Sequence, residues 1–223
     1  MESWKYPWGY SKRVAGEWYL ELYGGDSDDL KGRFNKLIDI LERSIAALKE
    51  IHTFQSASIS ISLLGEEILA DGTIKEENYL EFVSIDCQKL EDLVFSITQK
   101  VRPYYKFFIT NIFIDLNTSI QEKDREIILG DSANFYIGAG DYAVINEKTE
   151  LYLSYSTFTN VWLKNVCGND YVTLLDNSEA SKLNLPRLRK FLRSLEQNLG
   201  VNIQPGESHL YSQYLDKTGF IFD

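Results

Sequence analysis

The sequence predicts an α+β protein in which three amphipathic helices pack against antiparallel strands. Apolar residues recur at helical spacing in three segments, and several other segments alternate apolar and polar residues as half-buried strands do. The chain has 223 residues, of which 44% are hydrophobic and 25% are charged. These are globular values, and the length is sufficient to bury a core.

The first half of the chain predicts the element order β-α-β-β-α-β. The strands are predicted at 17–23, 56–63, 79–85 and 106–116, with one helix at about 28–51 and a second helix that follows a capping Asp86. The first helix carries an apolar stripe, and in 56–63 four serines alternate with apolar residues. This order is that of a ferredoxin-like, split βαβ half, which we assign to residues 1–116.

Residues 127–223 predict an antiparallel β-rich segment that ends in a helix. The strands are expected near 134–138, 142–146, 150–158, 161–166 and 171–175. The final helix is predicted to start near Pro186, a residue favoured in the first helical turn, and to stop at Gly200. The polar stretch 117–126 marks a possible boundary between the halves, and the alternative is one continuous domain.

Composition limits the classes of partner. The net charge is −10 and the isoelectric point is about 4.8, which disfavours contact with phosphate backbones and favours a protein partner with a basic surface. We find no apolar run long enough for a membrane span and no signal-peptide pattern. Cys87 and Cys167 form no metal or redox motif, so a cytoplasmic location is expected.

Catalytic motifs are not apparent, and we expect no catalytic residue, cofactor or metal. The histidines are His52 and His209, and a lone histidine is more often structural than catalytic. Gly138, Gly140 and Ala143 fit a G-x-G-x-x-A pattern, but the residues that follow predict a strand, so we favour a hairpin. The acidic cluster Asp26–Asp29 favours a helix start, whereas a cation site there would suit a metal- or carboxylate-dependent hydrolase.

Acidic residues are concentrated in the loop after the second predicted strand and at the start of the third. The candidate partner-binding carboxylates are Glu66, Glu67, Asp71, Glu76, Glu77 and Glu81. Such a density of like charge predicts a loop that faces a cationic partner, with a merely solvated loop as the alternative. Positively charged residues are concentrated on the final helix, where we expect a solvated helix face. They are Arg187, Arg189, Lys190 and Arg193.

The amino-terminal segment adds a second candidate surface. Trp4, Tyr6, Trp8 and Tyr10 fall at every second position, which places them on one side of an extended chain. Exposed tryptophan and tyrosine side chains supply large contact areas in protein interfaces. Packing against the edge of the sheet is the alternative for these four residues.

Two C-terminal segments resemble bacterial immunity proteins associated with polymorphic toxins. They are FTNVWL at 158–163 and NSEASKLNLPRLRKFLRSLEQNLG at 177–200. The resemblance implies a non-catalytic cytosolic antidote that binds and neutralises a cognate toxin, and it carries no site residue over to this chain. A hydrolase, or a structural or ligand-sensing module, remains the alternative.

Overall fold

A computed structural model of the chain describes residues 14–23, 30–68, 74–101, 107–139, 150–167, 174–206, 208 and 211–221. Over these residues the fold is α+β, with three helices and a large antiparallel sheet. The helices are α1 (Leu30–Leu48), α2 (Leu90–Val101) and α3 (Ser178–Leu199). The general class predicted from apolar periodicity is therefore confirmed.

The strands that build the large sheet are β1 (Gly16–Tyr23), β2 (His52–Ile68), β3 (Ile74–Ile85), β4 (Phe107–Glu122), β5 (Arg125–Ala139), β6 (Glu150–Thr157) and β9 (Gln204–Pro205). Two short pairs stand apart, β7 (Asn165–Cys167) with β8 (Leu174–Asp176) and β10 (Leu215–Asp216) with β11 (Gly219–Phe220).

The strand order of the large sheet is β3-β2-β4-β5-β6-β1-β9, and every neighbouring pair is antiparallel. The elements up to β4 follow one another as predicted, but the ferredoxin-like arrangement is not confirmed. A split βαβ unit places strands that flank a helix in parallel. Here β1 instead lies beyond β5 and β6, because it pairs with β6 over its whole length.

The stretch 117–126 forms the end of β4, a tight turn at Lys123 and Asp124, and the start of β5. Lys123 adopts a positive φ of 51°, which suits a turn. The large sheet takes strands from both sides of this turn, since β1 and β2 precede it and β6 follows it.

One face of the sheet and the three helices enclose the hydrophobic core. From the strands, alternate residues such as Leu20, Ile112 and Phe135 are fully buried. From the helices, Leu41 and Leu188 are buried in the same cluster. The apolar stripes predicted from helical spacing thus face the sheet wherever their side chains are described.

Helix α3 starts at Ser178, eight residues before the predicted start, so Pro186 lies inside the helix and that prediction was wrong. The first turns of α3 bury polar side chains, so a search for apolar residues at helical spacing does not detect them. Ser181 donates to the carbonyl of Trp162 at 3.0 Å, and the Asn184 amide donates to the carbonyl of Gln121 at 2.9 Å. The predicted end is confirmed, because Gly200 closes the helix with a φ of 70°.

Two further predictions are corrected. The strand expected at 161–166 is a short 3₁₀ turn at Asn160–Trp162, begun by the Thr159 hydroxyl, and β7 follows it. Asp86 does not cap α2, because that helix begins four residues later, at Leu90. The strand predicted at 142–146 lies outside the described residues.

Candidate protein-binding surface

The acidic segment is part of a β-hairpin rather than a loop, which corrects the prediction. Glu66 and Glu67 belong to β2, and Glu76, Glu77 and Glu81 belong to β3. The backbone register sets Glu66 directly opposite Glu76. Backbone pairing of β2 with β3 continues past both predicted strands, from Ala57 opposite Ile85 to Ile68 opposite Ile74. Asp71 lies between the strands, outside the described residues.

The other candidate segments from the sequence also fall outside the described residues. They are the aromatic positions Trp4, Tyr6, Trp8 and Tyr10, the acidic cluster Asp26–Asp29, and His209.

The face of the sheet opposite the helices is a surface that was not predicted from the sequence. No described helix packs on it, and we call it the open face. Its side chains form three rows across β2, β4, β5, β6 and β1. The rows, in that strand order, are Ser58-Phe113-Tyr136-Ser154-Tyr19, then Ser60-Asn111-Gly138-Tyr152-Glu21, then Ser56-Asp115-Asn134-Ser156-Glu17.

Three aromatic rings are packed together at the centre of the open face. The ring centroids of Phe113 and Tyr136 are 4.7 Å apart, and those of Tyr136 and Tyr152 are 5.3 Å apart. The Tyr152 ring lies over Gly138, where an added Cβ would come within 2.5 Å of it. Gly138 is therefore needed for close approach of this ring to the backbone.

Hydrogen bonds hold this aromatic group in place. The hydroxyl oxygens of Tyr136 and Tyr152 are 2.6 Å apart, and the Tyr136 hydroxyl also donates to the Asn111 side-chain oxygen. Burial, together with the Tyr152 hydroxyl, raises the pKa of Tyr136 well above its usual range. Tyr136 is thus a neutral donor, and its ring is fixed while the Phe113 and Tyr152 rings remain 37% and 38% exposed.

Carboxylates flank the rings, and two of them are held by hydroxyl donors. Glu17 accepts from Tyr19 at 2.6 Å and from Ser156 at 3.1 Å. Asp115 accepts from Ser56 at 2.6 Å. Glu21 is opposite Tyr152 in the register and is exposed. No lysine or arginine occupies a position in the three rows, so the described part of this face is anionic.

The basic residues of α3 are mostly engaged within the protein, which refines the prediction of a solvated face. Arg187 bonds Ser119 and Glu126, each at 3.2 Å. Arg189 donates to the carbonyl of Phe220 at 2.8 Å. Lys190 pairs with Glu50 at 2.9 Å. These contacts fix α3 against the sheet and the C-terminal segment.

His52, one of the two histidines considered in the sequence, lies in the core. It is buried between the rings of Tyr155 and Phe191, and its Nδ1 lies 3.3 Å from the Thr118 hydroxyl. Burial, with a smaller contribution from the Arg187 charge, lowers the pKa of His52 to about 3. The imidazole is therefore neutral in the folded protein at physiological pH.

A cleft of about 350 Å³ lies between the β4–β5 turn and the start of α3. Its lining includes Gln121, Asp176 and Ser178. The Asp176 carboxylate accepts from the Ser178 backbone N–H at 3.0 Å, and Gln121 is bonded through its backbone to Asn184. Much of the polar lining is therefore hydrogen-bonded to the first turns of α3.

Within the described ranges, no three His, Cys, Asp or Glu side chains are grouped so that they could hold a metal ion. Among the described helices, none combines the length and the apolar character needed to cross a bilayer. No family model, curated protein or solved structure was found to match the chain.

Proposed function

We propose that this chain binds a protein with a basic surface and neutralises it, in the manner of an immunity protein and its cognate toxin. Neutralisation by occlusion requires a complementary surface of about 800 Å² per partner and no catalytic group. The resemblance of residues 158–163 and 177–200 to immunity proteins supports the toxin as the class of partner.

The observation that carries the proposal is the separation of charge between the two sides of the sheet. Glu17, Glu21 and Asp115 lie on the open face, where the three rows hold no lysine or arginine. The described lysine and arginine side chains lie on helices, in turns and at strand ends. A cationic protein would therefore approach the open face rather than the helical layer.

The acidic hairpin adds to this polarity, because β2 and β3 form one end of the same sheet. The strand positions of Glu66, Glu67, Glu76, Glu77 and Glu81 would add negative charge to that end of the sheet. Charges at the rim of an interface mainly raise the rate of association, whereas buried aromatic anchors slow dissociation. The hairpin is thus proposed as the steering element.

The test is neutralisation in cells. An immunity gene is expected beside the gene of its toxin, so the toxin domain encoded next to this chain is expressed in a bacterial host, alone and with this chain. We expect growth arrest in the first case and growth in the second, together with a complex of the two purified proteins in size-exclusion chromatography.

A matched control is an unrelated acidic protein of similar size and isoelectric point, which should not restore growth. Failure of this chain to restore growth and to form the complex would contradict the proposed function. Restoration without a complex would also contradict it, because the proposal requires direct binding.

A further inference from the structure

The open face carries a preformed aromatic and acidic patch whose chemistry fits one kind of side chain. We define the open-face patch as Glu17, Tyr19, Glu21, Phe113, Tyr136 and Tyr152. Two independent features of its geometry bear on what it binds. One is the fixed set of rings, and the other is the position of the carboxylates around them.

The Phe113 and Tyr152 rings are partly exposed, and each packs against Tyr136 at a fixed spacing. Tyr136 is tilted by 48° to Phe113 and by 45° to Tyr152, so the three rings form a shallow, uneven surface rather than a flat stack. Their positions are set by the paired hydroxyls and by Gly138, so little ordering is needed when a partner binds. A cation within about 6 Å of such a ring is attracted to its π face.

The carboxylates adjoin the rings on the β1 side. Glu21 is the cross-strand neighbour of Tyr152, and directly opposite residues have Cβ atoms about 5 Å apart. Glu17 is already oriented by Tyr19 and Ser156. A guanidinium group over the Tyr152 ring would therefore lie within reach of a carboxylate that could accept its N–H donors.

We propose that the open-face patch seats an arginine side chain of a basic protein partner, with the guanidinium stacked on Tyr152 and paired to Glu21. Arginine fits better than lysine because its planar group stacks on rings and donates two parallel hydrogen bonds. The identity of the partner as a neutralised protein rests on the proposed function, but binding of arginine to the patch does not.

The three rows are large enough for the central part of a protein interface, which would extend beyond them to reach about 800 Å² per partner. Five strands at about 4.8 Å spacing give a width of about 19 Å, and the three rows extend about 14 Å along the strands. Small serines lie beside the rings in these rows, and Ser60, Ser154 and Ser156 are buried while Phe113 and Tyr152 are partly exposed. Tryptophan, tyrosine and arginine are the residues enriched among the anchors of protein interfaces, and a polar rim surrounds them.

The experiment uses the full chain and a ten-residue peptide of alternating glycine and arginine as the probe. Binding is followed by NMR titration at low ionic strength. We expect the largest shift changes at Tyr19, Phe113, Tyr136 and Tyr152. Tyr152→Leu and Glu21→Gln should each weaken binding of the peptide about 2- to 5-fold, the effect of one exposed cation–π or charged contact.

The matched control is Phe95→Ala, because Phe95 is a ring on α2 that is 66% exposed and lies on the helical side. It should leave the affinity for the peptide unchanged. The proposal is overturned if shift changes concentrate on the β2–β3 hairpin while patch signals stay fixed, or if all three variants bind equally. It is also overturned if NOEs in the free protein show residues 1–13 seated on Tyr152.

The same variants separate this inference from the proposed function. If the wild-type chain neutralises the toxin and the peptide does not bind the patch, the patch inference alone fails. If the peptide binds the patch but the wild-type chain neither binds nor neutralises the toxin, the proposed function alone fails. A folded Tyr152→Leu variant with the thermal stability of wild type keeps either outcome interpretable.

Discussion

The two faces of the sheet come from the same strands but differ in almost every physical property. In β4, Ile112 and Ile114 are fully buried under the helices, while their neighbours Phe113 and Asp115 lie on the open face. The covered face gains its stability from burial of apolar surface. On the open face, Phe113 and Asp115 are exposed, so they contribute less to that burial. Alternation by one residue therefore separates the residues of the core from those of the proposed binding surface.

The largest expected effect comes from removing a ring on the covered face. Phe135→Ala should lower the free energy of unfolding by about 3–5 kcal/mol, because a large buried side chain leaves a cavity. Phe113→Ala on the open face should cost only about 1 kcal/mol, the scale of an exposed aromatic pair. Urea denaturation of both variants measures the difference, and equal losses would show that the open face is part of the core.

Acid should destabilise the covered face through His52. Its pKa is about 3 in the folded protein, below the ordinary value of 6.5. The stability it contributes is therefore complete above pH 6.5 and is lost as the pH falls towards 3. At about 1.4 kcal/mol per pH unit, the loss is about 3 kcal/mol between pH 6.5 and pH 4.

Acid also protonates carboxylates such as Glu126, whose pKa is lowered by the Ser119 hydroxyl and Arg187, and their contribution to stability is then lost. The effect of His52 must therefore be measured by comparing wild type with a variant at this position. His52→Gln keeps a polar side chain of similar size and does not titrate. Stability should fall less steeply with acid in this variant than in wild type. Parallel curves for the two proteins would refute the assignment of a neutral buried imidazole.

Removing a polar side chain should lower the free energy of unfolding more under the helices than on the open face. The Asn184 side chain accepts from the Gln121 N–H at 2.7 Å and donates to the Gln121 carbonyl. Asn184→Ala should cost about 1–3 kcal/mol, because it leaves both backbone groups without that partner. Asn134→Ala, in a row of the open face, should cost about 0.5 kcal/mol or less. Thermal melts of the two variants, if identical, would contradict the comparison.

The covered face was largely predictable from the sequence, and the open face was not. Helical stripes such as the one around Leu41 signal burial directly, since they depend only on residues close in sequence. The open-face patch joins β1, β4, β5 and β6, from Glu17 to Tyr152. Its assembly needed the pairing of strands that are distant along the chain. The apolar character of 106–116 on both sides hinted at Phe113, but not at its neighbours.

Substitutions in the β2–β3 hairpin are expected to change folding stability least. Their main effect should be on the rate of association with a partner. Glu76 and Glu66 stand at directly opposite positions of β2 and β3. Opposed like charges in a sheet are unfavourable by roughly 0.2–1 kcal/mol. Replacing Glu76 and Glu77 with lysine should therefore leave folding stability within about 1 kcal/mol of wild type. The same change should slow association with the proposed basic partner, because it removes negative charge that would steer that partner. It should also flatten the dependence of that rate on salt, since screening acts over about 8–10 Å.

Stopped-flow association at several salt concentrations measures both quantities, with Phe95→Ala as the folded control. An association rate that ignores both the substitution and the salt would remove the hairpin from the interface and leave the open-face patch as the binding surface.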